Sequence, residues 1–406
     1  MKISHRKMNR QLGFSLVELM VAVVIGLIGT VVMFQVFAVS ENQKRSTTSG
    51  NDAQQNGSIA LFTLERDLRN SGHGMSPLIN LGRPMYTWSA VNSAVLTPTI
   101  YHPVLITPGT GSNPPPPDAI NVTYSVTEAL STQIPMTAPS WNSGAAPNQD
   151  VNVVTAAGIA LGNQIAICPN IAIDPTGVCL RGEVTAIAPS QSGAALSLSA
   201  APYTVGNDLI TPRWNPALGF AAAVGPTVAA DGLVLPAIYP GNGSLAQSGS
   251  VINLGQMITR TYAIQNGQLT LNDGATTTEF ANNIVGMRAQ YGLDTDNNGS
   301  IDAWVDPSPV QGNPLASFTP DHPLFLTGTD VQIATSWAMV KGIRVAIVAR
   351  SDNMEKEVVE NRPTIPLWTN TNGNPAPSYT VPGGDGAHYR YRVFETIIPF
   401  RNMIWQ

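Results

Sequence analysis

The segment Asp294-Thr-Asp296-Asn-Asn298-Gly-Ser300-Ile-Asp302 sets an oxygen donor at every second position, with Gly299 free to turn sharply. Hard oxygens at that spacing suit Ca²⁺. Asp294, Asp296, Asn298 and Asp302 would give side-chain oxygens and Ser300 its carbonyl. At the twelfth position of an EF-hand loop, where a bidentate Glu is needed, stands Val305, and the preceding segment reads as strand. A shorter DxDxNGxxD loop fits better. The same residues can also form an Asx-rich turn that caps its own backbone amides without metal. A second chemistry lies in Cys168 and Cys179, the two cysteines of the chain, which bracket a ten-residue loop. In an exported protein such a pair forms a disulfide, and zinc would need further ligands that the neighbourhood lacks. The third is Glu18, a carboxylate set in an otherwise apolar run, where burial in lipid is costly unless the charge is paired.

The element that positions Glu18 is a helix. Residues 1–13 are basic and polar, and from Phe14 to Val39 the chain is almost wholly apolar, long enough to span a bilayer. A secretory signal would have a shorter apolar core followed by a small-residue cleavage site. After Val39 the sequence turns polar but has no Pro before Pro77, and Leu61, Leu64 and Leu68 recur at helical spacing beside Ala53, Ala60 and Phe62. One helix is therefore expected to about Asn70, a rod of about 85 Å, with an apolar face over Ile59–Leu68. Gly72-His73-Gly74 ends it, and His73 reads as a turn residue rather than a ligand.

The remainder is turn-rich β-structure, with 32 Pro and 36 Gly in 406 residues. Strands are read at Ile120–Val126, on either side of the hairpin signal Asn266-Gly267, at Ile343–Val348 and at Tyr389–Ile398. Stretches 108–117, 202–248 and 363–385 read as surface loops. The expected fold is α+β: a long N-terminal helix, transmembrane in its first half, packed on an antiparallel β-sheet, in a lollipop shape. The divisions are a leader at 1–13, a membrane or filament-core helix at 14–39, its amphipathic continuation at 40–72 and a β-rich domain at 73–406.

Composition narrows the function. Four of the 21 basic residues precede Phe14, so loss of the leader takes the net charge from −5 to −9. No Lys/Arg cluster offers a footprint for phosphate backbones, so nucleic acid is not expected as a partner. No HExxH, GxSxG or Walker loop occurs, which argues against an enzyme. Trp88, Trp141 and Trp214 lie in the middle of the chain and could serve a ligand-binding surface, but scattered Trp residues are more often loop or core anchors.

Gly13-Phe14-Ser-Leu-Val-Glu18-Leu-Met resembles the type IV prepilin motif. The resemblance implies that a prepilin peptidase cuts between Gly13 and Phe14 and methylates Phe14. The new α-amine would lie four residues from Glu18 and could neutralise Glu18 of the next subunit in a staggered stack. Leu64-Glu-Arg-Asp-Leu-Arg-Asn-Ser-Gly72, Val285-Gly-Met-Arg-Ala-Gln-Tyr-Gly-Leu-Asp294, the stretch 340–351 and the end 389–405 are similar to the PilW family of minor pilins. That resemblance implies a structural protein; no cofactor is expected to be required, and calcium at the Asp294–Asp302 loop is a candidate on the residues' own spacing. It would sit as a single-pass protein in the bacterial inner membrane, its domain in the periplasm, before joining a pilus. Its partners would be other minor pilins, the major pilin, the peptidase, the inner-membrane assembly platform and a pilus-tip adhesin. Initiation of type IV pilus assembly near the tip is the implied role. A J-type pseudopilin of a type II secretion system and a tip-located adhesin are the alternatives.

Overall fold

The computed structural model describes residues 15–75, 84–89, 94–100, 102–111, 114–126, 133–142, 150–169, 179–191, 193–215, 249–274, 276–307, 339–368 and 377–400. Helix α1 runs from Leu16 to Asn70, about 82 Å at 1.5 Å per residue. Ser15 caps it, its Oγ accepting from the Glu18 N–H at 3.2 Å.

The two halves of α1 meet different surroundings. From Ser15 to Glu41 every residue is exposed. The stretch Leu16–Glu41 is apolar and long enough to cross a membrane. Further on, Ala53, Gly57, Ala60, Leu64 and Leu68 recur every three or four residues and are buried. They pack on strands Ala119–Ser125, Thr277–Asn282, Val340–Arg350 and Tyr391–Pro399. Gly57 is needed for that approach: a Cβ there would lie 2.0 Å from the Phe394 ring. The apolar face is narrower than the sequence suggests. Ile59 and Phe62 lie away from the sheet, 43% and 68% exposed, because the docking stripe follows the 53–57–60–64–68 line.

The helix exit joins the sheet directly. Gly72 N–H donates to Thr123 O at 3.0 Å and Ser125 N–H to His73 O at 2.8 Å. Gly74 has φ +76, and a Cβ on it would fall 2.5 Å from that of Ser125, so glycine is required. His73 is an exposed turn residue, as its flanking glycines suggest.

Among the described residues three larger sheets and two short hairpins build the domain. The C-terminal sheet has the order Ala303–Val305, Ile284–Leu293, Val340–Arg350, Tyr391–Pro399, all antiparallel. The middle sheet runs Thr277–Asn282, Gln268–Asn272, Met257–Gln265, Ala119–Ser125, Val104–Thr107, and contains the expected turn, with Asn266 and Gly267 at φ 52 and 75. The largest sheet has nine strands, with Gly249–Gly255 at its centre, and most of it is built from segments between 84 and 197. One of its pairings, Pro84–Ser89 with Cys179–Glu183, is parallel.

Alternation makes the largest sheet a wall shared by two cores. Ala166, Cys168, Ile252 and Leu254 face the main core with α1, whereas Ile165, Ile167 and Val251 face a second core with Val151, Val153 and Leu196. Gly249–Gly255 is consequently buried along its whole length. The C-terminal sheet is covered twice as well: Ile343, Val345 and Ile347 face α1, and Ala346 and Val348 meet Ile365, Leu367 and Trp368. The expected loop at 363–385 therefore contains a hairpin, Thr364–Pro366 with Ser378–Thr380. Another hairpin, Tyr203–Val205 with Asp208–Ile210, occupies the start of the stretch read as a loop from 202, and its residues 216–248 lie outside the described ones. The loop at 108–117 holds four consecutive prolines, pinned by Arg288, which donates to the carbonyls of Pro115 and Pro116 and to Asp118.

Candidate functional site

Gly13 and Phe14 lie outside the described residues. Glu18 sits in the first turn of α1, exposed, and among the described residues its carboxylate has no partner. An acid in a first turn is favoured by the amide dipoles, but in lipid that alone does not offset a free charge. The apolar half of α1 likewise has no covering groups among the described residues.

The docked half is fixed by a polar latch that the sequence reading did not anticipate. Asp67 is 1% exposed, and its Oδ2 accepts from Arg260 Nη1 at 2.7 Å and from the Tyr262 hydroxyl at 2.5 Å. Arg66 approaches the other oxygen at 3.5 Å. The Tyr262 phenol is pushed up, first by burial and then by its hydrogen bond to Asp67. The available signal was a charged residue wedged between Leu64 and Leu68 on the apolar stripe; its partners are too distant in sequence to be paired by eye.

Asp294, Asp296 and Asp302 are brought together as the spacing suggests, with carboxylate oxygens within 4.8 Å of one another. Asp294 is 2% exposed and accepts from the N–H groups of Asn298 at 3.0 Å and Gly299 at 2.9 Å. Asp296 accepts from the Asn298 side chain at 2.8 Å, and Asp302 from Thr295 N–H at 3.0 Å. Ser300 N–H donates to Asn298 Oδ1 at 2.8 Å. The loop is thus held by its own amides, as an Asx-rich turn is, while its carboxylates still offer a hard cation three oxygen donors. Such a cluster is not specific for any one metal.

Cys168 and Cys179 form the expected disulfide, buried against the main core. It joins the ends of neighbouring antiparallel strands, whose register brings Ile167 opposite Leu180. Trp214 is flanked by Arg181 and Arg213, 3.9 and 5.6 Å from its centroid. The side chains of Trp88 and Trp141 lie outside the described ones. Two further tryptophans, Trp304 and Trp368, flank the buried Arg344, which donates to Gln290. These are packing arrangements of cations on indoles.

A long helix, exposed and apolar in its first half and docked on antiparallel sheets in its second, defines a membrane-anchored, pilin-like class. The family model described as Prokaryotic N-terminal methylation motif matches residues 8–34, and that of Type IV Pilus-assembly protein W matches residues 249–402. The chain is a PilW-like prepilin. The second match takes in the C-terminal sheet, three strands of the middle sheet and the central strand of the largest one. No curated protein and no solved structure matches the chain. The family points to a type IV pilus minor pilin, a structural protein that interacts with other pilus components.

Proposed function

We propose that this protein is a non-enzymatic minor pilin that helps to initiate type IV pilus assembly and sits at or near the tip with other minor pilins. Cleavage between Gly13 and Phe14 by a prepilin peptidase, with methylation of Phe14, would release the leader. Glu18 of one subunit would then pair with the Phe14 amine of its neighbour, while the apolar half of α1 moves from membrane to filament core. The observation that carries this reading is the Glu18 carboxylate, without a partner among the described residues, on the exposed apolar half of α1. The partners are the major pilin, other minor pilins, the inner-membrane platform and a tip adhesin, and the domain lies in the periplasm before assembly. Glu18→Ala is expected to abolish incorporation into pili, measured in sheared surface fibres, while the membrane level of the protein is unchanged. Normal incorporation of the variant would contradict the pairing.

Calcium at Asp294, Asp296, Asn298, Ser300 and Asp302 is proposed as an aid to the stability of this turn, supported by the convergence of three carboxylates. Millimolar Ca²⁺ should raise the Tm of the full chain by about 2 °C, and Asp294→Ala with Asp296→Ala should remove the shift. An unmodified protein that shows no shift would end the idea.

A further inference from the structure

Where α1 first reaches the domain, an open polar cleft of about 420 Å³ lies between Asp52 and Asn56 on the helix, the turns at Asn266 and Asn283, and Arg350 and Asp352 at the end of the Val340–Arg350 strand. Asn283 Nδ2 donates to Asp352 Oδ1 at 3.1 Å. Among the described residues the carboxylate of Asp52, the amides of Asn56 and Asn266 and the guanidinium of Arg350 have no hydrogen-bond partner. Arg350 instead stacks 4.2 Å over the Tyr389 ring, and its Nε is buried and unsatisfied. One acid, one base and two amides with unused hydrogen-bonding capacity therefore line one space.

Their mixture selects the ligand class. A saccharide is usually held on an aromatic platform, and the described residues lining this cleft include none, the face of Tyr389 being covered by Arg350. The guanidinium disfavours a bare metal ion, and the two carboxylates disfavour a phosphate backbone. Donors and acceptors of both charges suit a folded polypeptide loop, whose main chain can bond the amides and whose side chains can pair the charges.

We propose that this cleft is a socket for a polar loop of the neighbouring pilin subunit on the membrane side, one that offers a carboxylate to Arg350 and a basic group to Asp52. This rests on the assembly reading above: in a stack of parallel helices, the rim where α1 enters the domain faces the subunit added next. The socket lies outside the helix-packed core and sets which subunit may follow.

The test is photocrosslinking in cells that make pili, with the full chain carrying p-benzoylphenylalanine in place of Asn56, or of Phe34 in the membrane half as a reference. The expected result is an adduct at Asn56 that mass spectrometry identifies as another pilin, reduced at least about fivefold by Arg350→Ala and by Asp52→Lys while the Phe34 adduct persists. Among the described residues Asp52 has no hydrogen-bond or ion-pair partner, so its variant keeps the test valid if Arg350→Ala fails to fold. A pilin adduct at Phe34 with none at Asn56, an Asn56 adduct to a lipid or saccharide, or one that neither substitution reduces would overturn the socket and leave the assembly reading standing. Absence of adducts at both positions would overturn both.

Discussion

The two halves of α1 share one unbroken helix yet solve opposite problems. Residues 15–41 expose every side chain and leave the Glu18 carboxylate without a partner among the described residues, whereas residues 53–71 bury an apolar stripe and the fully paired carboxylate of Asp67. A helix gains stability mainly from what covers its apolar face. For the second half the cover is the rest of this chain. The first has no cover among the described residues, and in the assembly proposed above lipid or other subunits supply it, so changes in the two halves should be read out differently: domain stability on one side, assembly on the other.

The sharpest way to probe the contrast is Asp67→Ala. It leaves the Tyr262 hydroxyl buried without its acceptor and Arg260 without its ion pair, and should cost about 3 kcal/mol, measured by denaturant unfolding of the domain signal. Glu18→Ala, a change of the same type in the exposed half, should leave that unfolding curve unmoved. Equal effects would erase the distinction.

Gly57→Leu is the next test. Overpacking against Phe394 should cost about 2 kcal/mol, partly offset by about 1 kcal/mol of better helix propensity. Combined with Phe394→Ala, the leucine should fill the vacated ring position, so that the double variant is more stable than Phe394→Ala alone. A double variant no better than the single would show that the two positions do not share one packing site.

The smallest effect is expected from acid. Burial lowers the pKa of His102 from 6.5 to about 4. Below pH 6.5 the unfolded chain takes up a proton that the folded chain refuses, so stability falls as pH drops through this window and levels off near 4. His102 keeps part of its surface exposed, which reduces the full effect to about 1–2 kcal/mol between pH 6.5 and 4.5. His102→Gln should flatten the pH dependence of Tm in that range; an unchanged slope would place the acid sensitivity elsewhere. The Pro103 carbonyl beside it accepts from Thr123 N–H, and Thr123 in turn accepts from Gly72, so acid acts beside the docked half of α1.

What could be read from the sequence was local. The extent of α1, the turn at Asn266-Gly267, the cysteine pair and the clustering of Asp294, Asp296 and Asp302 each depend on residues within a dozen positions of one another. The late strands at Val340–Arg350 and Tyr391–Pro399 were visible through their β-branched runs. What stayed hidden was non-local. Asp67 meets partners 193 and 195 residues away, and the parallel pairing of Pro84–Ser89 with Cys179–Glu183 crosses most of the middle region. The double burial of Gly249–Gly255 also escaped, because a strand covered on both faces loses the alternation by which strands are found. Phe62 was misplaced for a related reason: an apolar residue near the stripe is not on it unless its angle around the helix fits.

The most direct test of the pilin assignment is the intact mass and N-terminal sequence of the protein recovered from membranes that contain the matching prepilin peptidase. A chain beginning at N-methylated Phe14 is the expected result, and it would make the exposed half of α1 available for subunit packing. A chain still beginning at Met1, or cut elsewhere, would contradict it and leave a membrane-anchored domain whose Glu18 has no amine to meet.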